Sequence, residues 1–218
     1  MKAWLPQHLP YAKPSRLAAR TLALSPPAIL ALGFAALIIL GALLLLLPIA
    51  TTAPLSLLQA LFTATSAVTV TGLVLVDTGT HFTVFGQVVI AMLIQAGGLG
   101  FMTFAVVAVV SLGAKIGLAQ QKIAQEAMNQ TSLAQVAQTA KAVLLYSLLI
   151  ELVGITLLTL VWWGELGFSS ALYHGFFYTI SAFNNAGFAL SSASLMPYAS
   201  DIAVNLIITG LFIIGGIG

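Results

Sequence analysis

No charged residue stands between Arg20 and Asp77, and none between His81 and Lys115. A chain with such runs cannot cover itself with polar surface. A soluble globular domain is ~25% charged; here charged residues make up 6% of the chain and hydrophobic ones 60%. Lipid must supply most of the solvent, and the expected fold class is an all-α membrane protein. The lack of cysteine removes disulfides, thiolate metal sites and cysteine nucleophiles together. A net charge of +2 is too small to suggest a nucleic-acid partner.

The first run is too long for one crossing. Its strongest part, Ala28 to Leu47, makes a helix of ~30 Å, the thickness of the hydrocarbon core. Pro26 and Pro27 precede it and Pro48 closes it, at helix ends where proline is tolerated. Further spans are expected from near Gly86 to about Leu112, from Ala142 to Trp163, and from near Ile202 onward. The seven basic residues fall in two places: Lys2, Lys13, Arg16 and Arg20 before the first span, and Lys115, Lys122 and Lys141 between the second and third. Four alternating spans put both groups on one side, which is then cytoplasmic. Connections on the other side carry Asp77, Glu165 and Asp201 and no Lys or Arg. These acids either concentrate cations at the outer face or reflect only the freedom of acids to translocate. The apolar run from Ala28 exceeds a signal-peptide core, so residues 1–27, with Trp4 and Tyr11, read as a cytoplasmic and interfacial segment. Trp162 and Trp163 fit an aromatic belt at the outer end of the third span.

Two apolar stretches do not fit as crossings. If residues Thr51 to Val76 crossed, the lysines at 115, 122 and 141 would be carried outside, so this stretch should enter and leave by one face. Leu55 to Ser66 can make a helix of ~18 Å, half a bilayer. Thr69-Val70-Thr71-Gly72 follows, where β-branched residues favour extended backbone and glycine allows positive φ. Non-helical backbone at membrane depth requires protein or a water-filled path around it, and carbonyls lining such a path can replace the hydration shell of an alkali cation. The pattern returns after Ala171 to Ala182. Ser181-Ala182-Phe183-Asn184-Asn185-Ala186-Gly187-Phe188-Ala189-Leu190 matches Ser66 to Leu75 at one constant offset in Ser, Ala, Gly and the final Leu. Gly97-Gly98-Leu99-Gly100 likewise matches Gly215-Gly216-Ile217-Gly218. The chain is thus expected to hold two repeats of helix, re-entrant pore loop and helix, over 28–112 and 141–218, joined by a cytoplasmic connection at 113–140. Two loops supply two walls around a cation on a central axis.

Taken together, Ser66 to Leu73, Asp77-Thr78-Gly79-Thr80, Gln95 to Thr103 and Phe183 to Phe188 resemble the Trk/Ktr/HKT superfamily of potassium transporters, and within it the bacterial Ktr transmembrane subunits. The resemblance covers essentially the whole chain. It implies a potassium-channel-like pore of four such repeats, with one filter glycine in each. Gly72 matches the first and Gly187 the second. Relatives with serine at the first position tend to pass sodium, so Gly72 points to potassium. The resemblance further implies a homodimer in the bacterial inner membrane, seated on a cytosolic ring of regulatory subunits that bind ATP and ADP; no cofactor is expected on this chain, and sodium coupling is left open. Only two repeats are present, and the chain stops at Gly218 inside an apolar run. It reads as the N-terminal half of a longer protein, with a two-repeat channel completed by dimerisation as the alternative.

The expected ion ligands are the backbone carbonyls of Thr69, Val70, Thr71 and Gly72 and of Asn184, Asn185, Ala186 and Gly187, with the two asparagine amides as buttresses. Gly97, Gly98 and Gly100, with Gly215 and Gly216, read as close-packing positions, a gating hinge being the alternative. Glu151 is an acid in mid-span. No basic residue lies in any span, so its partner should be a hydroxyl, an amide or backbone; a structural hydrogen-bonded acid is set against a proton relay. Asp77 reads first as a turn or cap residue and second as an outer-mouth cation attractor. No metal site is expected from His81 and His174, and no enzyme is indicated by any nucleophile or metal constellation. The 113–140 connection suits either a solvated surface helix or a docking face for the regulatory ring.

Overall fold

The computed structural model describes residues 26–100 and 133–217. Its helices are α1 (Pro26–Leu45), α2 (Leu57–Val68), α3 (Thr78–His81), α4 (Val84–Gly98), α5 (Leu133–Leu166), α6 (Phe168–Phe183) and α7 (Ile202–Ile217), with a short 3-10 turn at Met196–Tyr198. Among the described residues there is no strand; Thr51 and Phe82 form an isolated antiparallel bridge. The fold is all-helical, as the apolar runs predict.

Helices α1, α2 and α4 pack on one another; α5, α6 and α7 do the same; and α4 touches α6 to join the two groups. The first core is built from Leu45, Val68, Ile90 and Ile94, and it also takes in Phe177, Ile180 and Phe188 from the second group. Apolar side chains nevertheless cover the outside. Leu32, Ile39, Leu40 and Leu43 on α1 and Leu145, Leu149, Leu152 and Leu160 on α5 are all exposed, which suits a lipid solvent. Among the described residues one helix, Gln138–Leu166, is long and apolar enough to cross a membrane.

Local chemistry sets the helix starts. Ser56 and Gln59 close a reciprocal capping box on α2, Thr83 caps α4, and Asp201 accepts from the Val204 amide at the start of α7. Gly167, at φ 74°, provides the sharp turn between α5 and α6.

Three expectations need correction. The second span was expected to run through Gly100, but α4 ends at Gly98, with Leu99 as its cap and Gly100 at φ 78°; residues 101–112 lie outside the described residues. Of the connection expected over 113–140, residues 133–140 are helical as the start of α5, and 113–132 lie outside the described residues. Trp162 is not a belt residue: it is 2% exposed and packs against Tyr178 and Tyr198, whereas Trp163 is half exposed beside Phe168. Extended backbone from Thr69 to Thr71 fails at Thr69, which has ψ 3°, and at Val70, for the reason given below. The basic segment before the first span, and Lys115 and Lys122, lie outside the described residues.

Candidate functional site

Helices α2 and α6 end in the same way. Thr69 and Asn184 are their C-caps, at φ −88° and −82° with ψ 3° in both. The Val70 amide donates to the Ala67 carbonyl and the Thr71 amide to Ser66, at 3.3 and 2.9 Å; the Asn185 amide donates to Ala182 and the Ala186 amide to Ser181, at 2.9 and 2.7 Å. This is the Schellman pattern, which requires a left-handed residue just past the helix end. Val70 (φ 55°) and Asn185 (φ 59°) fill it. Asparagine tolerates that conformation, while a β-branched valine is forced into it at a cost of ~1–2 kcal/mol. Helix closure overrides the extended preference of Val70, and the β-branched run gave no signal of that cap.

Two residues later each loop turns left-handed again, at Gly72 (φ 78°) and Gly187 (φ 73°). These glycines face one another. A Cβ built on Gly72 would lie 2.5 Å from the Ala186 carbonyl oxygen and 3.3 Å from the Gly187 Cα, and one on Gly187 would lie 3.6 Å from the Gly72 Cα. Neither α2 nor α6 has a basic residue in its last turn, so the partial negative ends of both helix dipoles, ~0.5 charge each, lie at the starts of these loops uncompensated.

The helix that follows each loop presses on its start. A Cβ on Gly97 would meet the Val68 carbonyl at 1.9 Å, and one on Gly215 would meet the Phe183 carbonyl at 1.8 Å. Both are close-packing glycines. Gly98 leaves room for the Asn184 side chain, Gly216 has only ordinary contact with Asn185, and Gly100, just past the end of α4, has no neighbour within 4 Å among the described residues. Close packing therefore fits Gly97, Gly98 and Gly215.

The sequence model for cation transport proteins of the TrkH family matches residues 27–218. The chain belongs to that family. Among its relatives is Ktr system potassium uptake protein B of Bacillus subtilis, 56% identical over 89% of this chain and 44% of that protein. The Vibrio alginolyticus protein of the same name is 42% identical over 88% of this chain and 42% of its own length. Potassium/sodium uptake protein NtpJ of Enterococcus hirae is 34% identical over 89% and 44%. The chain thus spans less than half the length of these TrkH-family relatives, which are cation transporters rather than enzymes.

The side chains of this TrkH-family chain divide unevenly between the loops. Asn184 is buried: its Nδ2 donates to Gln95 Oε1 at 2.8 Å and to the Ile180 carbonyl at 3.0 Å. Gln95 Nε2 in turn donates to Glu151 Oε1 at 2.8 Å, and Glu151 is 4% exposed. The partner of Glu151 is an amide, within the set expected. Asn185 makes one long contact, 3.4 Å, to the Phe183 carbonyl. Among the described residues no three His, Cys, Asp or Glu residues cluster as a metal site.

Asp77, Glu165 and Asp201 all have structural partners. Asp77 Oδ1 accepts from the Thr80 amide and hydroxyl at 2.8 and 2.7 Å, Asp201 caps α7, and both Glu165 oxygens accept from the Tyr198 hydroxyl at 3.2 Å. Asp77 is therefore a cap. Asp77→Asn is expected to keep that cap, and Asp77→Ala to lose about 1 kcal/mol of stability, read as thermal unfolding in detergent.

Gln87 and Tyr173 were not singled out in the sequence, and Gln95 entered only as the first residue of a family-like motif. Two glutamines two turns apart in a charge-free run were the available signal, since a buried amide in an apolar helix requires partners.

Proposed function

We propose that this chain contributes two walls of a potassium-selective pore, in a Ktr-type system for potassium uptake across the cell membrane. The observation that carries the reading is the pair of left-handed glycines, Gly72 and Gly187, brought face to face by two loops of matching backbone. A conformation that only glycine adopts freely, at two matching places in contact, fits a main-chain ring around a dehydrated cation. The converging negative helix ends fit the same ion. Potassium as the cargo is supported by the relatives named for potassium uptake.

On this reading 28–112 and 141–218 are successive pore repeats, re-entrant at α2 and α6, and Thr69 to Gly72 and Asn184 to Gly187 offer their carbonyls to the ion. The N-terminus and the 113–140 connection face the cytoplasm, where a nucleotide-binding regulatory ring would dock, and two such transporters pair. Further walls come from repeats that the longer relatives have room for. A proton-coupled carrier working through Glu151 has less support. Its carboxylate accepts from Gln95, and among the described residues no other titratable side chain is hydrogen-bonded to it.

The test replaces Gly72 by serine in the full-length protein, expressed in cells that lack their own potassium uptake. Serine at φ 78° costs ~1–2 kcal/mol, and its Cβ overlaps the Ala186 carbonyl. The half-saturating potassium concentration is expected to rise about tenfold, a 1.4 kcal/mol effect, and sodium to enter. Unchanged potassium affinity and unchanged sodium exclusion would remove the filter.

A further inference from the structure

The two loops share a backbone but are held by different means. At the first, Thr69 serves itself: its Oγ1 donates to the Thr65 carbonyl at 2.8 Å and lies 2.6 Å from Thr71 Oγ1. At the second, Asn184 occupies the equivalent cap and is tied to α4 through Gln95 and onward to α5 through Glu151. All three polar side chains are buried, at 9%, 9% and 4% exposure. Residue Gly98 keeps Asn184 close to α4, since a Cβ there would lie 2.1 Å from its Oδ1. The repeat that aligns Gly97 with Gly215 aligns Gln95 with Ile213, which is 50% exposed and has no hydrogen bond to offer. The chain of amides thus belongs to one wall alone.

Burying a carboxylate and two amides in an apolar setting is costly unless every partner is in place. A purely structural cap at Asn184 would need only the Ile180 carbonyl. Two further helices converge on it instead. We propose that Gln95 and Glu151 are positioning residues for ion selectivity: together they fix the Asn184 side chain and thereby the geometry of the second loop, leaving the first loop to its own hydroxyls. The inference rests on the filter reading above.

The experiment measures the ratio of half-saturating sodium to potassium concentrations for uptake by the full-length protein, normalised to its amount in the membrane. Glu151→Leu is expected to lower the discrimination about tenfold, and Asn184→Ala to do the same. In the double variant the two effects should not multiply, because Glu151 acts through Asn184; independent multiplication would overturn the proposal. Glu151→Gln keeps an oxygen facing Gln95 and should restore the ratio to within about threefold of wild type; a loss equal to that of Glu151→Leu would overturn the hydrogen-bonding account. If Glu151→Leu does not reach the membrane, Gln95→Met, close to glutamine in shape, takes its place in the same cycle with the same two outcomes. Gly72→Ser run alongside separates the readings. If it changes selectivity while the Glu151 and Gln95 variants do not, the positioning role falls and the filter stands. If Gly72→Ser changes nothing, the filter itself falls.

Discussion

Alanine at Gly97 or at Gly215 is expected to destabilise the protein by about 3 kcal/mol, and with it to disturb the loop that each glycine backs. The added methyl would lie 1.9 Å from the Val68 oxygen in the first case and 1.8 Å from the Phe183 oxygen in the second, where ordinary contact begins at 3.4 Å. Neither oxygen can swing aside as a side chain would. Each is a main-chain carbonyl of the last helical residue, and the next three amides are held by the cap bonds of α2 or α6. Relief requires the whole helix end to withdraw, and that end sets the position of Thr69 or Asn184. Gly216→Ala is the internal comparison, because its methyl would meet Asn185 at 3.5 Å; it is expected within about 0.5 kcal/mol of wild type. Thermal unfolding of the detergent-solubilised protein reads all three. A hinge would behave differently: alanine at Gly97 would then leave the melting transition in place and change only the opening of the pore.

Those glycines also show where a sequence stops being informative. Gly97, Gly98 and Gly100 form one motif on paper, yet the first meets backbone, the second meets a side chain and the third, among the described residues, meets nothing. Spacing identifies the motif; the distance to a neighbouring chain segment is a property of packing. What was legible had a local cause. Apolar runs bounded by proline, serine, threonine or aspartate gave α1, α2, α6 and the start of α7 within a few residues of their observed ends but missed the end of α4 and the start of α5, and the internal repeat picked out Gly72 and Gly187 because left-handed backbone demands glycine in both copies. Val70 was not legible, because its conformation is imposed by closure of α2 against its own preference. Nor was the hydrogen-bonded chain of Asn184, Gln95 and Glu151, whose bonded pairs are separated by 56 and 89 residues. Trp162 was misplaced for a related reason: a tryptophan at a helix end suits a membrane interface, and only the neighbouring Tyr178 and Tyr198 make it a core residue.

The largest single-residue effect outside the glycines is expected at Gln87, which is 6% exposed and belongs to neither loop. Its Nε2 faces three carbonyls, those of Phe82 at 2.8 Å, Gly79 at 3.1 Å and Thr78 at 3.3 Å, and its Oε1 accepts from the Tyr173 hydroxyl on α6. One amide therefore joins α3, α4 and α6. Leucine has nearly the same volume, so Gln87→Leu tests the polar contacts with little change in packing. It leaves a hydroxyl and several carbonyls buried without partners, at ~1–3 kcal/mol for each group that finds no water, and a total loss of about 3 kcal/mol is expected. Tyr173→Phe removes one bond and leaves Gln87 its carbonyls, so about 1 kcal/mol is expected there. Melting of the two variants in detergent should keep that order, and equal melting temperatures would show that the carbonyl contacts contribute nothing. On the filter reading proposed above, the consequence reaches the pore. A Cβ on Gly79 would lie 1.7 Å from the Leu190 carbonyl, so the turn that Gln87 holds is wedged against the far end of the second loop. Once the turn is free, that end of the loop loses its backing, and discrimination between potassium and sodium should fall in Gln87→Leu while Tyr173→Phe keeps most of it.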